Sequence, residues 1–140
     1  MSKKNILIVD DEPDVVAYLS AVLESHNFSL YSAENAEAGL KLAEEVHPDL
    51  ICLDIMMPKE SGISMYTKLR RTSELGDIPV VIISGVEQAG EFNFRKFVKD
   101  KKIPPPDFYF EKPIDVDNFI AEIKRLLSRR KQNKTKGRLS

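Results

Sequence analysis

Five times along the chain, a short and nearly uninterrupted apolar run is followed by a stretch whose apolar residues recur at helical spacing. Asn5 to Val9 (NILIV) precedes Val15, Val16, Leu19, Val22 and Leu23; Phe28 to Ser32 precedes Ala36, Leu40, Ala43 and Val46, with Asn35 as the expected cap. Asp49 to Leu53 (DLICL) leads through the loop Asp54 to Gly62, broken by Pro58 and Gly62, to a helix over Ile63 to Arg71. Pro79 to Ile83 (PVVII) is followed by a helix expected within Val86 to Lys102, which Pro104 to Pro106 end. Asp107 to Glu111 (DFYFE) then precedes a last long helix carrying Val116, Phe119, Ile120, Ile123, Leu126 and Leu127. Continuous apolar strands are buried on both sides, so five strand–helix units imply an α/β fold with a parallel sheet and helices on both faces.

The 140 residues suffice for one such domain, expected over residues 4–130, with 131–140 as a basic tail or the start of a linker. The single cysteine, Cys52, has no partner for an internal disulfide and sits in an apolar strand, where a small core residue is expected. No apolar stretch approaches the roughly 18 residues of a membrane span, and Lys3-Lys4 lead into a run too short for a secretory leader. A cytoplasmic location is the expectation. The net charge of −1 conceals an asymmetry, for residues 124–140 hold 8 Lys or Arg and no acid, leaving 13 bases against 22 acids before them. Such a tail suits a polyanion, but a solvated helix end is the plainer use, and neither nucleic acid nor membrane is expected as a direct partner.

Ligands of doubly wound sheets bind beyond the carboxyl ends of the strands. Asp10, Asp11 and Glu12 follow the first strand, Asp54 the third, Ser84 and Gly85 the fourth, and Lys112 and Pro113 the fifth. Clustered carboxylates repel one another unless a cation intervenes, and a hard divalent ion with oxygen ligands fits. A lysine and a hydroxyl opposite the metal complete a cradle for a tetrahedral anion, so this mouth reads as one for phosphoryl chemistry.

Over about residues 4–128 the chain resembles the receiver domains of two-component response regulators. The resemblance rests on Asp10-Asp11, the run Leu53-Asp54-Ile55-Met56-Met57-Pro58 ending at Gly62, Ile83-Ser84-Gly85, and Tyr109-Phe110-Glu111-Lys112-Pro113, in that order. It implies a flavodoxin-like (βα)5 fold with strand order 2-1-3-4-5. It further implies that Asp54 accepts a phosphoryl group from a phosphohistidine on a sensor histidine kinase or histidine phosphotransfer protein. Asp54 and Asp11 would ligate Mg²⁺, or Mn²⁺ in its place, with Asp10 acting largely through water and the Met56 carbonyl as a further ligand. Lys112 would pair with a phosphoryl oxygen, Ser84 would donate its hydroxyl to another, and Tyr109 would turn inward behind Ser84. That motion would switch a surface made by the fourth helix, fifth strand and last helix, read by an output protein or a fused output domain. Pro113 matches a position where the family commonly has a cis peptide. The implied protein is mainly a signalling switch, a monomer or a phosphorylation-dependent dimer, whose only catalysis is its own phosphorylation and dephosphorylation.

The chain also departs from the pattern. Between Ser84 and Lys112 it has about six residues more than a compact receiver, and Ile103-Pro104-Pro105-Pro106 stands where a Gly-Ala turn is common. Phe92 and Phe94, which diverge by about 200° on a helix, cannot both face inward with Phe97. Met56 and Val86 place apolar groups beside the expected path of an attacking water, which implies slow loss of the phosphoryl group. His26 and His47 fall at helix ends with no ligand spacing, so a phosphohistidine of this chain's own is not expected.

Alternative readings are a metal-dependent phosphatase with an aspartyl nucleophile and a degenerate receiver that serves only for interaction. The first usually carries a second acid two residues after the nucleophile, where Met56 stands; the second would lack the acceptor or the lysine. A flavin binder of similar fold is disfavoured because no Ser/Thr/Gly-rich loop follows the first strand. No output domain fits after Arg130, so the expectation is a single-domain receiver or the amino-terminal piece of a longer protein.

Overall fold

The computed structural model describes residues 3–55, 62–84 and 98–139; the side chains of Ser84 and of residues 130–139 lie outside that set. In chain order the elements are β1 (Asn5–Val9), α1 (Pro13–Ser25), β2 (Ser29–Ala33), α2 (Ala36–Val46) and β3 (Leu50–Asp54). They continue with α3 (Gly62–Arg71), β4 (Val80–Ser84), β5 (Phe108–Glu111) and the last helix, α4 (Val116–Leu139). All strand pairs are parallel and the order is β2-β1-β3-β4-β5, as the resemblance implies.

Alternation within each apolar run divides the core into two layers. Leu7, Val9, Ile51, Leu53, Val80 and Ile82 face α2 and α3, whereas Ile6, Ile8, Leu50, Cys52, Val81 and Ile83 face α1 and α4. These strand residues are essentially inaccessible, which explains why the third and fourth runs contain no polar alternation. Phe119 of α4 packs edge-on against Phe110 of β5, with centroids 5.2 Å apart. Helix starts follow local chemistry. Pro13 opens α1, where its missing N–H costs nothing, and the Asn35 side chain accepts the Ala38 N–H at 2.8 Å to cap α2.

The segment before β5 departs from the sequence expectation. Residues 98–102 are not helical: Asp100 accepts the Lys102 N–H on its side chain and the Ile103 N–H on its carbonyl, a turn that competes with a helix. Val98 and Ile103 are nevertheless buried against α3 and the strands it covers. Beyond them, the Tyr66 hydroxyl donates to the Pro104 carbonyl at 2.6 Å. Arg70, only 6% exposed, stacks on Tyr66 and donates to its hydroxyl, to the carbonyls of Gly76 and Ile78, and to Asp107. Asp107 also accepts the Val80 N–H and, on its other oxygen, Arg129 of α4. The triple proline is thus anchored through a carbonyl, the group that proline retains. Phe92, Phe94 and Phe97 lie outside the described residues.

Candidate functional site

The strand order reverses between β1 and β3, because the chain runs outward from β1 to β2 and then returns across β1. Asp10 follows the last residue of β1 and Asp54 is the last residue of β3, so the two carboxylates flank this switch point. Both are almost fully buried, at 2% and 3% exposure. The register brings Asp54 beside Ile83 and Ser84 beside Glu111, which puts Lys112 one step beyond the same sheet edge. The Lys112–Pro113 peptide is cis.

Carboxylate oxygens of Asp10, Asp11, Glu12 and Asp54 lie within 4.8 Å of one another. Lys112 Nζ is 2.7 Å from Glu12 Oε1, 3.3 Å from Asp10 Oδ2 and 3.7 Å from Asp54 Oδ2. Burial alone would push the Lys112 pKa down. The hydrogen bond that Lys112 donates to Glu12 and the charges of Asp54 and Asp10 outweigh it and hold the group above its ordinary value. One ammonium cannot balance four carboxylates, since each neighbouring like-charged pair opposes the assembly by about 3 kcal/mol at an effective dielectric constant near 20.

A buried orphan marks what this arrangement lacks. Asp10 Oδ1 accepts the Glu12 N–H at 2.9 Å, but Asp10 Oδ2 has no hydrogen-bond partner among the described residues. Its contact with Lys112 is an ion pair without hydrogen-bond geometry. A buried, unpartnered carboxylate oxygen facing further oxygen donors fits a hard divalent cation such as Mg²⁺.

Close approach of backbone shapes the Asp54 side of the site. Gly62, the first residue of α3, donates its N–H to the Ile55 carbonyl at 3.2 Å. A Cβ there would lie 2.8 Å from Ile55 Cα and inside the contact distance of the Asp54 carbonyl oxygen. The sequence marks Gly62 only as a breaker; its packing role needs the fold to be seen.

Asp10, Asp11, Asp54 and Lys112 therefore converge as the strand ends require. Ser84 ends β4 at the same edge, and its hydroxyl lies outside the described side chains. Tyr109 sits in β5 opposite Ile82 and is 41% exposed. Met56 and Val86 fall outside the described residues. Glu12 is the residue for which the sequence supplied no role. Pro13 at the start of α1 fixes Glu12 as the N-cap, and that was the available signal for a side chain at the mouth.

Residues 6–124 match the family model described as the response regulator receiver domain. The chain is 34% identical over 124 residues to the DNA-binding dual master transcriptional regulator RpaA of Synechocystis sp., covering 89% of this chain and 49% of that protein. It is 32% identical to protein PilH of Pseudomonas aeruginosa, covering 88% of this chain and 97% of PilH. The crystal structure of a CheY-like response regulator receiver domain protein from Methanospirillum hungatei superposes with a TM-score of 0.80 at 23% identity, over 94% of this chain and 99% of that one. That likeness bears on the fold.

Proposed function

This chain belongs to the response regulator receiver family of two-component systems, and on that premise we propose that it takes a phosphoryl group onto Asp54 from a partner's phosphohistidine. The observation that carries the reading is the buried Asp54 carboxylate at the switch point, 3.7 Å from Lys112 Nζ and grouped with Asp10 and Asp11. In the transfer, an Asp54 oxygen attacks phosphorus, the P–N bond breaks, and its electron pair stays on the imidazole nitrogen. Attack joins two anions, so the Lys112 ammonium offsets charge on the phosphoryl oxygens as they approach. Asp10, Asp11 and Asp54, with the Met56 carbonyl, would hold Mg²⁺ or Mn²⁺, which when bound supplies the remaining charge neutralisation. Burial of Asp10 and Asp54 limits water around the acyl phosphate, and hydrolysis of its P–O bond returns Asp54 to a carboxylate.

Ser84 is assigned as the hydroxyl donor to the phosphoryl group and Tyr109 as the aromatic that moves with it. The exposure of Tyr109 in the unmodified chain supports this, since an outward ring is the state from which such a turn would start. The surface around β5 and α4, with the helix expected within Val86 to Lys102, is the output face. Its reader is an output protein or an attached output domain, with monomer and phosphorylation-dependent dimer as the states exchanged. Among the described residues no helix is long and apolar enough to cross a membrane, which accords with a cytoplasmic partner kinase.

Intact mass after incubation with Mg²⁺ and acetyl phosphate tests the assignment. A single base-labile phosphoryl adduct, lost in Asp54→Asn and on chelation of the metal, is expected. Turnover of phosphoesters with no adduct on Asp54 would refute it.

A further inference from the structure

The acceptor reading assigns Lys112 to the phosphoryl group, yet in this structure the lysine is turned elsewhere. Its shortest contact to a carboxylate is the hydrogen bond to Glu12 Oε1 at 2.7 Å, while Asp10 Oδ2 is 3.3 Å and Asp54 Oδ2 3.7 Å away. Glu12 occupies the N-cap position of α1, where a carboxylate ordinarily accepts a free N–H of the first turn, but its side chain makes no capping bond. The contact is also prepared from behind, because Asp10 Oδ1 accepts the Glu12 N–H and fixes the backbone from which the side chain reaches. Three residues, of which Glu12 and Lys112 are 100 apart in sequence, thus form one chain of contacts: Asp10 side chain, Glu12 backbone, Glu12 side chain, Lys112.

We propose that Glu12 is a positioning residue that latches Lys112 at the mouth of the site before phosphoryl transfer and releases it to the phosphoryl oxygen afterwards. This rests on the reading of Asp54 as the acceptor. The relative exposure of the partners sets the direction of the exchange. The Glu12 side chain is 58% exposed and that of Asp54 3%, so water screens the first pair strongly and the second hardly at all. An exposed ion pair is weak enough to be surrendered when a phosphoryl anion appears on the buried side. While it lasts, it holds the ammonium within reach of Asp54 and reduces the orientation still to be found.

The test follows the Lys112 ζ-¹⁵N resonance, assigned with Lys112→Arg, in the parent, Glu12→Ala and Glu12→Gln, with and without excess acetyl phosphate and Mg²⁺. Before phosphorylation, the parent resonance should differ from that of Glu12→Ala, with Glu12→Gln between them. In the adducts, all three should coincide. Competition with Glu12 is expected to weaken the hold of Lys112 on the phosphoryl group by about two- to fivefold, the range for an exposed ion pair. Coincident resonances before phosphorylation, or distinct ones after it, overturn the latch while an intact-mass adduct on Asp54 leaves the acceptor reading standing. Failure of the parent to form that adduct overturns the acceptor reading, and the exchange with it; a parent that forms it while Glu12→Ala and Glu12→Gln do not overturns the exchange alone.

Discussion

Replacing Gly62 by alanine should disturb the Asp54 carboxylate, the proposed acceptor, without touching any ionisable group. The new methyl carbon would sit 2.8 Å from Ile55 Cα and 3.0 Å from the Asp54 carbonyl carbon. Carbon atoms pack at about 3.5 Å or more, so a displacement of at least about 0.7 Å is required, and the Asp54 carbonyl oxygen, which is closer still, demands more. All the close neighbours are backbone atoms, and no rotamer change relieves them. Asp54 is held in the sheet by its pairing with Ile83, so the strain divides between the first turn of α3 and the peptide that carries the acceptor. Overpacking costs about 1–3 kcal/mol, against a helix-propensity gain of at most about 1 kcal/mol, so a net loss of about 1–2 kcal/mol is expected. Gly62 does not have positive φ, which leaves crowding as the cause. A misplacement of this size should slow phosphorylation by acetyl phosphate about ten- to a hundredfold. Urea denaturation and intact mass over time measure the two effects. Gly76→Ala is the control: its nearest contact would be 3.2 Å, and both properties should stay near the parent's. If Gly62→Ala matches Gly76→Ala in stability and in rate, the close-approach argument is wrong.

Arg70→Met should lower stability by about 3 kcal/mol, the lower end for breaking a buried pair, because Asp107 keeps Arg129 and the Val80 N–H. A melt that moves no more than for an exposed arginine would contradict this. The raised Lys112 pKa means that its stabilising interactions are complete below the ordinary lysine value of 10.5 and are lost only as pH climbs through the higher folded value. NMR titration should therefore find Lys112 protonated when exposed lysines have begun to titrate. If positions 56 and 86 flank the path of an attacking water as the resemblance implies, Met56→Asn combined with Val86→Glu should shorten the life of the acyl phosphate; decay at the parent's rate would refute that assignment.

The parts of this molecule governed by short-range pattern could be read from the residues. The unbroken apolar runs in NILIV, DLICL and PVVII foretold strands buried on both faces, and Asn35 marked the start of α2. Once the strands are parallel, Asp10, Asp11, Asp54 and Lys112 must share an edge, so the carboxylate cluster followed from topology alone. Contacts that join distant segments by a single side chain could not be read. Nothing near Asp107 announces that it will receive Arg70 from 37 residues away, or that Pro104 will offer its carbonyl to Tyr66. That residues 98–102 are not helical could not be read for the same reason, as apolar spacing at Val98 was compatible with burial in a non-helical segment; the rest of the helix expected within Val86 to Lys102 lies outside the described residues. Glu12 escaped because its value depends on Lys112, which the chain brings back only after closing the whole sheet.

Asp107 receives Arg70 from the helical layer on one side of the sheet and Arg129 from the layer on the other. A sheet packed with aliphatic side chains insulates its two faces, so the layers communicate most directly around its rim. Helix α3 spans that distance as a rod of ten residues, about 15 Å long, with Gly62 wedged against the Asp54 peptide at one end and Arg70 on Asp107 at the other. A displacement at the Asp54 end would reach the carboxylate that tethers α4 along this helix, by a path around the rim and not through the core.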